Sequence, residues 1–196
     1  MKKFIFSFLF LVHSIAMFAQ PFFDAGLKAG VNNSKVTVNL KEFTTQSIVK
    51  THIGAFARFG WNRVYIQPEA YFSSKGGELI SPSILEMLTK FDFNNLDVPI
   101  LLGVKIVNGE NANIRLMTGP MFSILTSNKI YGDELISPDF YKSNYYGYQY
   151  GIGIDLWSFF LDARMEHGVN RLYHHPDLGL NGKNKTFMVT LGYRIF

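Results

Sequence analysis

Cysteine is absent from the 196 residues. That excludes a disulfide framework, a thiolate metal site and a lipid-anchored cysteine at a processed N-terminus. Charge is scarce: Asp, Glu, Lys and Arg make up 17% of the chain, against roughly 25% in soluble domains. After the first twenty residues there is no unbroken apolar stretch of about 18 residues, the length a membrane helix requires. The chain is nevertheless rich in aromatics, with 19 Phe and 10 Tyr but only two Trp. An apolar, aromatic membrane protein without spanning helices must be a closed β-barrel, because lipid offers no partner to backbone N–H and C=O groups.

The N-terminus points to export. Met1-Lys2-Lys3 is a short basic segment, and an apolar run follows from Phe4 to Val12 and again from Ile15 to Ala19. This pattern predicts a secretory signal peptide over residues 1–19, cleaved after Ala19 to leave Gln20 first. Met17, at the −3 position, is larger than the small residue usual there. A retained membrane anchor is the alternative, disfavoured by the length of the run. Without Lys2 and Lys3 the formal charge falls from +4 to +2, so the basic pI carries no argument for a nucleic-acid partner.

Residues 20–196 alternate with a period of two, the mark of strands with one apolar face. Leu27, Ala29 and Val31 alternate with Lys28 and Gly30. Val64, Ile66 and Phe72 share one face; Tyr65, Gln67, Glu69 and Tyr71 share the other. Ile152, Ile154 and Leu156 alternate with Gly151, Gly153 and Asp155. Eight such segments follow one another, each long enough to cross a bilayer at a tilt. One face of each is apolar and essentially uncharged, and the other mixes glycine with charged and aromatic residues. A soluble lipocalin-like barrel needs the reverse arrangement. A periplasmic sandwich also alternates, but the long uncharged aromatic face weighs against it. The expected fold is all-β: an eight-stranded antiparallel up-and-down transmembrane barrel over residues 20–196.

The connections agree with that fold. Tight links at 60–62, 108–111 and 157–158 alternate with long ones at 32–50, 74–90, 126–144 and 170–184. Outer-membrane barrels have short periplasmic turns and long outer loops, which places both termini in the periplasm. Trp61 and Trp157 fall at short turns, where a girdle of aromatic residues meets the lipid headgroups.

The strand texts resemble the PorT-type outer-membrane β-barrel family of Bacteroidota. YIQPEAYFSSKGG (65–77), LDVPILLGVK (96–105), IRLMTGPMFS (114–123), YQYGIGIDLW (148–157), FLDARMEHGV (160–169) and LGYRIF (191–196) carry the likeness by their order and spacing. The resemblance implies an eight-stranded barrel inserted by the outer-membrane assembly machinery. Some relatives serve protein secretion and gliding, which would make envelope or secretion proteins its partners. A terminal Phe resembles the usual insertion signal, yet Phe196 is in phase with Arg194 and Gly192, the inward set.

The inward positions define the candidate site: Lys28, Arg58, Arg63, Lys105, Arg115, Arg164 and Arg194 face Asp24, Glu69, Asp97, Asp155, Asp162 and Glu166. An eight-stranded barrel is just wide enough for side chains to fill it, and buried charges must be paired. A lumen plugged by salt bridges is therefore the favoured reading. A narrow solute path, opened by inward glycines, is the alternative. His174-His175-Pro176-Asp177 is the sole hint of a metal or a general base. Glycine-rich phosphate loops, nucleophile elbows and zinc spacings are missing, so no enzymatic activity, cofactor or metal is expected. The basic residues Lys35, Lys41, Lys50, Arg171, Lys183 and Lys185 suggest contact with lipopolysaccharide phosphates beside the outer-membrane lipid.

Overall fold

The computed structural model describes residues 21–38, 44–81, 87–131, 144–169, 173–175 and 180–196. The segment predicted to be a signal peptide lies outside them. Among the described residues there are nine strands and no helix: β1 Pro21–Val38, β2 Thr44–Trp61, β3 Val64–Ser81, β4 Met87–Asn108, β5 Ala112–Tyr131, β6 Asn144–Leu156, β7 Phe159–Gly168, β8 Tyr173–His175 and β9 Leu180–Arg194. Each strand from β1 to β7 pairs antiparallel with the next, β7 pairs with β9, and β9 returns to β1. The three-residue β8 pairs only with β9 and stands outside the ring. The result is a closed, eight-stranded, up-and-down antiparallel barrel with no free edge through its central section.

The alternation decides which way each side chain points. Leu27, Ile53, Leu102, Leu161 and Leu191 lie on the outside, each at least half exposed. Arg58, Asp97, Arg115, Asp162 and Glu166 lie inside and are completely buried. This inverts a soluble protein, and lipid is the solvent that makes it stable. The outer face is banded. Trp61, Trp157, Phe23, Phe59, Phe159 and Tyr193 ring the end bearing the short turns. Tyr146, Tyr148, Tyr150, Phe122 and Phe187 stand toward the other end, with aliphatic side chains between. Two aromatic girdles about an apolar band are the expected dress of a membrane barrel.

The strands run further than the sequence suggests. Residues expected in long loops extend the hairpins: β1 continues to Val38 and β2 begins at Thr44. Likewise β3 reaches Ser81, β4 starts at Met87 and β5 ends at Tyr131. Strands of 18 to 22 residues exceed the roughly 9–11 that span a bilayer, so these hairpins project past the lipid. Outward residues described there, such as Asn33, Ser47, Ser74 and Asn94, are polar, and the apolar–polar alternation fades while the backbone pairing persists.

Two details at the turn-bearing end correct the sequence reading. Arg63, expected in the lumen, occupies the two-residue turn between β2 and β3, is exposed, and donates to the Ile106 carbonyl at 3.3 Å. Asn62 before it has φ of 54°, a backbone conformation asparagine tolerates better than most residues. Phe196 is not inward. Ile195 N and Phe196 N both donate to the Ala25 carbonyl, at 2.8 and 3.2 Å, and Ala25 N donates to the Phe196 carbonyl. Two residues thus oppose one, as in a β-bulge, and both terminal side chains are exposed.

The lumen as candidate functional site

Every strand of the ring contributes to a buried polar network. At the turn-bearing end, Asp24 lies 3.2 Å from Arg58 Nη1 and 3.6 Å from Arg194 Nη1. Arg58 Nε donates to Gln67 Oε1 at 2.7 Å, and its Nη1 reaches Asp155 at 3.4 Å. Arg115 pairs with Asp155 at 2.9 Å and Asp162 at 2.8 Å, and donates to the Tyr65 hydroxyl at 3.1 Å. Arg164 clasps Glu69 with two parallel 2.8 Å bonds and also donates to Asp162. Lys28 donates to the same Glu69 at 2.6 Å, as does Gln67. The planar guanidinium fork matches a carboxylate edge, which is why three arginines can be sunk side by side here.

Aromatic rings fill the space between the charges. Phe56 and Phe160 meet edge to face with centroids 5.0 Å apart. The Arg58 guanidinium lies 5.0 Å from the Tyr65 ring centre, and that of Arg115 lies 5.4 Å from Phe160. These ring faces account for Arg58 Nη2, a buried nitrogen with no oxygen partner, through cation–π attraction. Room for the rings comes from glycine: a Cβ on Gly103 would overlap Tyr65, and one on Gly192 would overlap Phe160.

Toward the other end the chemistry changes. Lys75 Nζ sits 2.8 Å from Asp97 and 2.6 Å from Glu166, and donates to the Tyr145 hydroxyl at 2.7 Å. Tyr145 donates in turn to Glu166 at 3.0 Å. Gln149 links Glu166 to Tyr71, at 3.0 and 2.6 Å, and Ser123 donates to Asp97. Phe93, Met121 and Tyr145 pack together beside these groups. His52 lies 2.7 Å from Asn32 Oδ1 and 2.9 Å from Thr190 Oγ1. A proton on Nδ1 satisfies the first contact and lets Thr190 donate to Nε2. Ser73 and Asn95 oppose each other across β3 and β4. Both are buried, and neither side chain has a hydrogen-bond partner.

Of the residues predicted for the lumen, Lys28, Arg58, Glu69, Asp97, Lys105, Arg115, Asp155, Asp162, Arg164 and Glu166 are buried inside the barrel. Lys105 stacks its ammonium 3.8 Å over the Phe22 ring. Arg194 is half-buried at the rim, and Arg63 is outside. Lys75 and His52 were not anticipated. Lys75 follows the text SS, which looked like the start of a loop, and His52 lies just before the first apolar residue of its strand; only their parity with Tyr71 and Gly54 would have placed them inside. Among the described residues the most deeply buried cations (Lys28, Arg58, Lys75, Arg115, Arg164) and anions (Glu69, Asp97, Asp155, Asp162, Glu166) number five each, so the centre of the network is balanced in charge, with Lys105 nearer the turn-bearing end. His174 and His175 form β8 by their backbones; their side chains, like those of Lys35, Lys41, Arg171 and Lys183, lie outside the description. Lys50 and Lys185 are strand residues of β2 and β9. Among the described residues no group of three His, Cys, Asp or Glu could hold a metal ion.

Solved structures of other proteins share this fold. Among solved structures, the outer membrane protein OprG from Pseudomonas aeruginosa aligns with a TM-score of 0.52 at 12% identity, over 89% of this chain and 95% of that one. Neisserial surface protein A gives 0.49 at 9%, over 87% and 97%. Ail, the attachment invasion locus protein of Yersinia pestis, gives 0.44 at 16%, over 88% and 99%. No curated protein matches the sequence. The sequence does match the family described as "Outer membrane protein beta-barrel domain" over residues 18–174, most of the strands whose outward apolar and inward charged faces were built up above. A lipid-facing exterior, a buried interior of paired charges and that match together make this chain a member of the outer membrane protein beta-barrel domain family, resident in the outer membrane.

Proposed function

We propose that the protein is a non-conducting, non-enzymatic barrel that serves as a structural or partner-binding component of the envelope, as in PorT-like relatives linked to protein secretion. The observation that carries this reading is the filled lumen: Arg58, Arg115, Arg164, Tyr65 and Tyr71 are wholly buried there and braced across it by ion pairs. With its centre occupied, such a barrel offers its rim and its projecting hairpins to partners. Export by a signal peptide over residues 1–19, insertion by the assembly machinery, periplasmic termini and contact with lipopolysaccharide complete the reading.

The test is conductance of the purified, refolded protein in planar bilayers. Absence of discrete steps at physiological salt is expected. Steady single-channel steps would replace this reading with a narrow small-solute pore. One observation favours that second reading: the unpartnered Ser73 and Asn95 form a polar spot suited to water in the half of the lumen away from the short turns.

A further inference from the structure

The outer surface of the barrel, as far as it is described, is almost without charge between its turns and the far girdle. The exception is a single row. His167 of β7 opposes Lys185 of β9 on one side and Tyr148 of β6 on the other. By backbone register the row continues to Lys35 of β1, opposite Lys185. The His167 ring stacks on both neighbouring tyrosines, with centroids 5.2 Å from Tyr148 at 16° and 5.6 Å from Tyr150 at 7°. The Tyr150 hydroxyl lies 3.2 Å from His167 Nε2, which fixes the imidazole against the barrel wall. Basic residues placed directly opposite one another destabilise a sheet unless an anion lies over them.

Beneath this row is an apolar groove of about 760 Å³. One bank is the row Leu102, Thr118, Tyr150, Met165, Phe187; the other includes Leu116 and Ala163. The small side chains of Thr118 and Ala163 leave the hollow, and Tyr150 belongs both to the groove and to the His167 stack. A second groove of about 620 Å³ lies between Ala29, Ala55 and Ala70 on another part of the wall. It has no such crown: the outward residues next above it are Thr51, Ser74 and Asn94.

We infer that the Tyr148–His167–Lys185 row is the headgroup seat for a phosphate of lipopolysaccharide, with an acyl chain of the same molecule in the groove below. A phosphate monoester suits an ammonium, an imidazole and tyrosine hydroxyls side by side. The inference rests on the proposed orientation, which puts this row in the outer leaflet, where such lipids reside.

The experiment compares four proteins reconstituted in nanodiscs with bis-phosphorylated lipid A, each first shown to be folded by heat-modifiable migration. The double variant His167→Gln/Lys185→Gln removes the imidazole and the ammonium, Ala163→Phe fills the groove, and Ala55→Phe fills the uncrowned groove as a control. Lipid A retained per barrel, read by native mass spectrometry, is expected to fall at least ~10-fold in the first two, the scale of a lost charge-assisted contact, and to be unchanged in the control. Equal retention in the double variant, or equal loss in the control, overturns the site. Equal retention of dephosphorylated lipid A overturns the phosphate, and equal retention of phosphatidylglycerol overturns lipopolysaccharide as the source. Orientation is read separately: the chain has no cysteine, so Ser127→Cys gives a single thiol at the hairpin end. Labelling of whole cells by an impermeant maleimide upholds the orientation. Lack of labelling, with labelling restored on lysis, overturns the orientation and the lipopolysaccharide assignment with it.

Discussion

The two halves of the lumen are built on different chemistry. Near the short turns, arginines lie against carboxylates and phenyl rings: Arg58, Arg115 and Arg164 with Asp155, Asp162 and Glu69, and Phe56, Tyr65 and Phe160 between them. In the far half one ammonium, Lys75, serves two carboxylates with help from Tyr145, Gln149 and Ser123, and Ser73 and Asn95 are left without partners. A guanidinium presents a rigid fork of donors and its charge spreads over a plane, so it tolerates a dry, aromatic setting. An ammonium is compact and strongly hydrated, and it needs oxygen on several sides. The near half is therefore a rigid plug, and the far half is a polar network with room for water.

That contrast can be broken by removing its cations. The largest effect is expected from Lys75→Met, which takes from Asp97 and Glu166 the one ammonium that serves both; truncating one partner of a buried ion pair costs about 3–5 kcal/mol. Urea unfolding from lipid vesicles, followed by loss of heat-modifiable migration, measures it. Arg164→Met should cost less, about 1.5–3 kcal/mol, because Lys28 and Gln67 still donate to Glu69 and Arg115 still pairs with Asp162. Equal losses in the two variants would erase the difference between the halves. Gly192→Ala probes the packed half sterically. Its methyl would overlap the Phe160 ring, for a cost of about 1–3 kcal/mol and a lower unfolding midpoint. The smallest change is expected from Asn95→Leu. In a dry site, exchanging an unpartnered amide for an isosteric alkyl group is neutral or stabilising. A loss of about 1–3 kcal/mol in the same unfolding assay would instead show that water bonds the amide.

How much of this was legible depended on whether the outward residue was apolar. Through the lipid band, Leu27, Ile53, Ile66 and Leu116 announce the outside, so their neighbours Lys28, Glu69 and Arg115 were placed inside from the text alone. Past the lipid the outward positions turn polar, as at Asn33, Ser47 and Asn94, and the same pairing leaves no mark. The projecting hairpins, and Lys75 within one of them, were hidden for that reason. Arg63 shows a different limit. Parity cannot tell the last residue of a turn from the first of a strand, because a two-residue turn also keeps step with a period of two. The partners across the lumen were beyond the text altogether: Arg164 meets Glu69 only because the sheet closes with a particular stagger between β3 and β7.

The bulge of Ile195 and Phe196 against Ala25 has a consequence for the order of events during biosynthesis. The seam it finishes joins the first strand to the last, so no partial chain can complete the ring, and an emerging N-terminal half cannot mature ahead of the rest as N-terminal domains of soluble proteins do. β1 must wait, with one side unpaired, until β9 has been made. Such a chain depends on being held extended and kept from other strand edges between translocation and insertion, and without Ile195 and Phe196 the Ala25 carbonyl at the seam would lose both of these donors.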